Sequence, residues 1–298
     1  MSDGPTPPKP LTSPGTAFAA APLRVSKGKL DRLARVYDEQ VHPLLGQRLD
    51  DMLLAAADHR PRSAVLQVGC SGGAATLQIA RRLDGESRVV ALDGSPALID
   101  IARGRLRGEE ALARRVFFRG HPAGSKLPFA EETFETVLAN LPLAELAEPA
   151  TALADLTRVT RSGGQVVVAT LLRGTWLEFL DLYREVLIQG RRLEALGALT
   201  AYLDAFPDGD RVARQLEDAG LYNVRIEVES WELVFRSARE FFYAPVIEQG
   251  PLNRWKELVD REVMQETFLG IKEAIDTYFA GRAFSVTALG GRFSGLKR

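Results

Sequence analysis

One cysteine, Cys70, stands in a chain of 298 residues. That count excludes an intramolecular disulfide and any zinc cluster built on paired thiolates, and it suits a cytoplasmic setting. Histidine is nearly as scarce, with three in the chain, and these show no ligand spacing with the carboxylates. No metal centre is expected. Charge of one sign is also missing: 38 Lys and Arg face 39 Asp and Glu, for a net charge of −1. Nothing in that balance points to nucleic acid or to a membrane surface. The longest apolar run near the sheet, Val166 to Leu172, is too short to span a bilayer. Met1-Ser2-Asp3-Gly4-Pro5 lacks the basic-then-apolar opening of a signal peptide.

Proline is present but unevenly spread. Six of the sixteen fall in residues 1–25, among Ser, Thr, Gly and Ala, where no helical or strand period survives. That stretch is expected to be a disordered tail. The rest, 26–298, reads as one α/β domain with a helical lid over 29–57 and a helical cap inserted over 173–206. Leu30, Leu33, Val36 and Tyr37 recur at helical spacing in the lid, and Leu177, Leu180, Tyr183, Val186 and Leu187 do so in the cap. His42, before Pro43 at the helix break, is expected to face solvent.

The pattern centres on Val65-Leu66-Gln67-Val68-Gly69-Cys70-Ser71-Gly72-Gly73-Ala74-Ala75. A short apolar strand runs into a glycine-rich turn that opens a helix. Such a turn lets a ligand approach the backbone, and the helix start offers free N–H groups. Cys70, in a turn that needs small residues, reads as packing rather than as a nucleophile. A second strand, Arg88 to Leu92, ends in Asp93, a carboxylate placed to accept both hydroxyls of a ribose. Counted from Gly69, the turn lacks the second and third glycines of a dinucleotide fingerprint. That spacing argues against a nicotinamide-dependent oxidoreductase.

The turn resembles instead the first motif of the class I S-adenosylmethionine-dependent methyltransferases, D/E-x-G-x-G-x-G. Gly69 and Gly73 match, Ser71 takes the middle glycine and Gln67 replaces the acid. Leu127-Pro128-Phe129 with Thr133-Phe134-Glu135-Thr136-Val137 is similar to the family's L-P-F…S-F-D-x-V segment, and Arg161-Ser162-Gly163-Gly164 before an apolar strand is another landmark. Within the family the chain looks closest to the malonyl-acyl carrier protein O-methyltransferases, through Leu138 to Leu143, Thr170 to Phe179 and Phe284 to Leu289. Ala144-Glu145-Leu146 stand where that group carries a His or Gln and a Trp.

The resemblance implies a Rossmann-like seven-stranded sheet with its last strand antiparallel, and S-adenosylmethionine as cofactor. It implies a cofactor set of Gln67 by the methionine ammonium, Gly69, Cys70, Ser71 and Gly73 in the turn, and Asp93 and Gly94 at the ribose. His121 falls where the family places an adenine contact, and Asn140 ends the fourth strand. Tyr37 is either the aromatic residue that closes over the cofactor or one more core-facing side chain of the lid. Trp176 and Tyr183 of the cap are expected to roof the acceptor, unless lid and cap simply pack together. Position alone allows Glu145 to reach the pocket, but it reads as a solvated first-turn carboxylate.

Methyl transfer from a sulfonium is an in-line displacement, in which the protein positions the acceptor and excludes water. Carboxylates need no base, whereas amines, phenols and alcohols must lose a proton. No residue declares itself as that base, so no catalytic residue is assigned. Two readings stand: a methyltransferase acting on a small-molecule or carrier-bound acyl acceptor, or a degenerate methyltransferase fold serving as a binding or scaffold module.

Overall fold

The structure, a computed structural model, describes residues 26–298; the tail expected over 1–25 lies outside the described residues. Five parallel strands come first: β1 (Ala64–Val68), β2 (Arg88–Asp93), β3 (Val116–Gly120), β4 (Phe134–Asn140) and β5 (Thr160–Leu171). They are joined by α3 (Ala74–Arg82), α4 (Pro96–Arg105), α5 (Glu110–Ala113) and α6 (Pro149–Val159). Two long strands follow, β6 (Leu221–Phe235) and β7 (Phe284–Lys297), and the sheet order is β3-β2-β1-β4-β5-β7-β6. β7 is antiparallel to both neighbours, from Gln165 opposite Leu296 to Leu171 opposite Gly290 on one side. The expected seven-stranded sheet with an antiparallel last strand is the one observed.

The order explains where a ligand belongs. β2 and β3 lie on one side of β1, and β4 and β5 on the other. Successive crossovers therefore leave in opposite directions, and a crevice opens at the C-terminal ends of β1 and β4. The central strands are near-continuous apolar runs because helices cover both faces; Val166, Val167, Val168 and Ala169 are all fully buried. Val65, Leu138 and Val167 belong to the core on one face, and Leu66, Val137 and Val166 to the core on the other. A third core, around Phe179, Tyr183, Phe241 and Trp255, sits among the helices beyond the strand tips.

Those helices are broken into shorter pieces, beginning with the cap expected over 173–206. The stretch Trp176 to Ala205 forms two helices, α7 (Leu177–Gln189) and α8 (Leu193–Ala205). Gly190 caps the first, and Arg191 takes a left-handed conformation at φ 54°. The break folds α8 back, so that Leu199 joins the core of Leu180 and Leu187. After α9 (Gly209–Asp218) and β6, the run from Ser237 to Glu248 divides into α10 (Ala238–Tyr243) and α11 (Pro245–Glu248). Ala244 precedes a proline and is extended, with ψ 132°, as the ring of Pro245 demands. The run from Asn253 to Ala280 likewise divides into α12 (Leu252–Lys256) and α13 (Arg261–Phe279). The Arg161-Ser162-Gly163-Gly164 landmark lies inside β5 as an irregularity, between Thr160 opposite Phe134 and Gln165 opposite Thr136.

Gly73 shows how tightly the first turn is fixed. Its φ is +81°, and a Cβ built there would lie 2.8 Å from Ala102 Cβ and 2.9 Å from Phe118 Cζ. The glycine thus serves the packing of α3 on α4 and β3. Gly73→Ala is expected to destabilise the fold by about 1–3 kcal/mol through strain and overpacking. Urea unfolding measures this; an unchanged midpoint would refute the packing role.

Candidate active site

A cavity occupies the crevice at the strand tips, and its floor is built by β1, β2 and β4. The turn after β1 is hung from β2, since Gly69 N–H and Cys70 N–H both donate to the Leu92 carbonyl, at 2.9 and 3.0 Å. Gly69 has φ +75°, and any side chain there would strike the Asn140 carbonyl at the tip of β4. Asp93 then braces the turn. Its Oδ2 accepts from Ser71 N–H at 2.8 Å and its Oδ1 from Ser95 N–H at 2.9 Å. Burial raises the Asp93 pKa above the ordinary carboxylate value, and these two N–H groups oppose the shift. Each oxygen keeps a second lone pair, and Asp93 lines the cavity.

The lid is clamped onto this floor. Between α1 (Lys27–Val36) and α2 (Gly46–Ala56) the chain makes a π-helical turn, Tyr37–Val41, a rare form that often marks functional sites. Asp38 in that turn takes both arms of Arg105, at 2.9 and 2.7 Å, while Arg105 also donates to the Gly72 carbonyl. The neighbouring Tyr37 lines the cavity. Burial lifts its hydroxyl well above the ordinary tyrosine range; Asp93 adds to the shift and a hydrogen bond with Ser71 opposes it. His42 is buried rather than solvent-facing, because its Nε2 pairs with Asp50 at 3.0 Å. The other Asp50 oxygen accepts from Asn140 Nδ2 at 3.0 Å, tying α2 to the tip of β4.

The roof comes from the cap. Trp176 sits at φ 65°, an uncommon conformation for a bulky residue. It is held there because its N–H donates to the Thr287 carbonyl at 2.8 Å, and Glu178 accepts from the Thr287 N–H and hydroxyl. The Trp176 ring is buried and lines the cavity beside Tyr202, Phe206 and Val246. Glu145, in the 3₁₀ turn Leu143–Glu145, enters from the rim of β4 and Arg254 from α12.

The structure therefore brings Tyr37, Gly69, Ser71, Asp93, Gly94, His121, Asn140 and Trp176 around one cavity. Gln67, Cys70, Gly73 and Tyr183 stand outside its lining. Gln67 is fully buried between β1 and α3, where its Oε1 accepts from Thr76 Oγ1 at 2.6 Å. The Cys70 thiol is buried, which pushes its pKa well up and keeps it protonated. Tyr183 donates its hydroxyl to the Trp255 carbonyl at 2.8 Å, so it fixes α12 from outside the cavity. Sequence reasoning missed Tyr202, Phe206 and Arg254, which lie far along the chain and carry no local signal. Glu145 is not the solvated carboxylate expected. Its Oε2 is sealed from water and has no partner.

Comparison with known proteins places this geometry. A family model described as a methyltransferase domain matches residues 65–164. The chain is 28% identical over 213 residues to a demethylmenaquinone methyltransferase of Renibacterium salmoninarum, covering 65% of this chain and 85% of that protein. It is 28% identical over 230 residues to a malonyl-[acyl-carrier protein] O-methyltransferase of Halorhodospira halophila, covering 73% and 68%. These matches support a class I S-adenosylmethionine-dependent methyltransferase. A putative methyltransferase from Bacillus halodurans shares the fold, with 21% identity, a TM-score of 0.54 and coverage of 85% of this chain and 99% of that one.

S-adenosylmethionine, the cofactor of the class, supplies an electrophilic methyl on a sulfonium. The residues present fit its nucleoside half, with a buried carboxylate at the tip of β2 and a left-handed turn at Gly69 and Ser71 exposing backbone to the cavity. Gln67 does not reach the cavity. Among the described residues no helix is long and apolar enough to cross a membrane.

Glu145 makes stability depend on pH. Burial raises its pKa from 4.5 to about 8, and Arg254 only partly offsets this. Between those values the unfolded chain is ionised at this position while the folded one keeps its proton. The folded state then binds more protons, so stability falls as pH rises through that window and levels off above it. Glu145→Gln removes the dependence. The variant is expected to gain on the parent from pH 4.5 to 8 in urea titrations, with a constant difference above; parallel curves would contradict a raised pKa.

Proposed function

We propose that this methyltransferase moves the methyl of S-adenosylmethionine onto a small-molecule or carrier-bound acceptor with a substantial apolar part. The observation that carries this reading is the continuity of the cavity. Its polar floor at Asp93 and Ser71 opens directly into an apolar roof of Trp176, Tyr202, Phe206 and Val246. The floor suits the ribose and adenine, with Asp93 accepting from the ribose hydroxyls. The roof suits an apolar acceptor and keeps water from the reaction. One relative is named for demethylmenaquinone and the other for a malonyl carrier protein, so their names differ in the acceptor and agree only in the transfer.

Calorimetric titration with S-adenosylmethionine and S-adenosylhomocysteine tests the cofactor half directly. Asp93→Ala removes a charged acceptor and is expected to weaken both ligands by about 1.5–3 kcal/mol. Because Asp93 also braces the turn, a thermal melt of the variant accompanies the titration. Equal affinity in parent and variant would remove Asp93 from the ribose. No heat from either ligand in the parent would support the scaffold reading instead.

A further inference from the structure

Two polar groups in the roof are left without partners. Glu145 Oε2 and Arg254 Nε are both shut off from solvent, neither has a hydrogen-bond partner, and both residues line the cavity. Arg254 is anchored elsewhere, through its Nη1 to Glu257 Oε2 at 3.0 Å. Arg254 is thus held by one arm, and its Nε–H and the Glu145 carboxylate stay unmatched within the wall of one cavity. A buried polar atom left unpaired costs free energy, and natural proteins tolerate it where function uses it.

Building on the transfer reading above, we propose that Glu145 is the proton acceptor of the reaction, and that the acceptor carries a weakly acidic hydroxyl, a phenol or enol, on an apolar body. Each candidate acceptor can be weighed against the two groups. A carboxylate needs no base, so it gives Glu145 nothing to do, and it adds an anion to a cavity already lined by Asp93 and Glu145. An ammonium meets the Arg254 guanidinium. A neutral hydroxyl enters at no electrostatic cost, donates to the Glu145 carboxylate and turns its developing negative charge toward the Arg254 guanidinium. The acceptor oxygen forms the new bond to the methyl carbon. The C–S bond breaks with its electron pair left on sulfur, and the O–H proton passes to Glu145.

The titration of Glu145 suits this task. Burial brings it to about 8, where a carboxylate is basic enough to take a proton from a weakly acidic hydroxyl. The titratable and charged groups facing it are Arg254 from α12, Tyr202 from α8 and Tyr37 from the lid. Burial pushes both tyrosines above their ordinary range. Asp93 and His121 line the same cavity, so the Glu145→Gln comparison is what assigns a limb between pH 6 and 9.

The probe is 2-naphthol, with 2-naphthoate as its carboxylate counterpart, titrated calorimetrically into the full chain saturated with S-adenosylhomocysteine. Binding is measured from pH 6 to 9, in phosphate and in Tris. Naphthol affinity is expected to rise toward pH 8, with a buffer-dependent heat reporting proton release as Glu145 ionises. In Glu145→Gln the pH rise and the buffer dependence vanish and affinity falls roughly ten- to a hundredfold. In Glu145→Asp both return in part, and S-adenosylhomocysteine affinity stays within about twofold in both variants. An unchanged naphthol profile in Glu145→Gln, tighter binding of naphthoate, or no binding of naphthol to the S-adenosylhomocysteine complex overturns the proposal. Failure of the parent to bind S-adenosylhomocysteine at all is a different result, and it removes the transfer reading itself.

Discussion

The Asp93 carboxylate is the pivot of this molecule. It accepts one N–H from the turn after β1 and one from the start of α4, and so locks two loops at the crevice into a single geometry. Without that brace, Ser71 would have no reason to hold a left-handed conformation, and the backbone of the turn would not face the cavity. Burying a carboxylate is costly unless several donors face it. Here two backbone groups that any sequence would supply offset part of that cost, which leaves the remaining lone pairs of the oxygens for a ligand. The same atoms thus hold the site in shape and recognise what enters it.

The second layer of construction fixes lid and cap relative to that floor. Asp38 and Arg105 clamp the π-helical turn onto the Gly72 carbonyl, and Asp50 joins His42 to Asn140. On the opposite side Trp176 hangs from Thr287 on the antiparallel strand β7. The cap core then closes over it, with Phe179 stacked on Trp255 at 4.0 Å and Tyr183 bonded to the Trp255 carbonyl. These contacts orient Arg254, the residue before Trp255. An aromatic cluster outside the cavity therefore decides where a charged group inside it stands.

The sheet and the floor were legible in the sequence because they are local. A strand, a turn and a helix start are adjacent in the chain, and Asp93 and Asn140 announce themselves by ending apolar strands. The roof was much less legible. Trp176 follows β5 closely and could be placed there, but Tyr202, Phe206 and Arg254 come from helices whose own periodicity says only that one face is apolar. Tyr183 illustrates the ambiguity: its apolar face is real, and it serves the packing of α7 against α12 rather than the cavity. His42 was misjudged for a related reason. A polar residue beside a proline reads as solvated, whereas Asp50 gives it an interior partner that local sequence does not reveal.

Glu145 shows what such a fold can do with a residue that sequence leaves ambiguous. Its position is local, one short turn beyond β4 at the C-terminal ends of the parallel strands, where ligands bind in open α/β sheets. Its chemistry is not local. Helices from distant parts of the chain exclude water from Oε2 and set a guanidinium in the same cavity without bonding to it. The floor is defined by groups that satisfy each other, which suits a cofactor held the same way at every turnover. The roof is defined by groups that do not. Unpaired polarity in an apolar roof raises the energy of the empty site relative to one filled by a complementary ligand, so under the proposed reading the choice of acceptor rests with groups at the roof and not with the turn after β1.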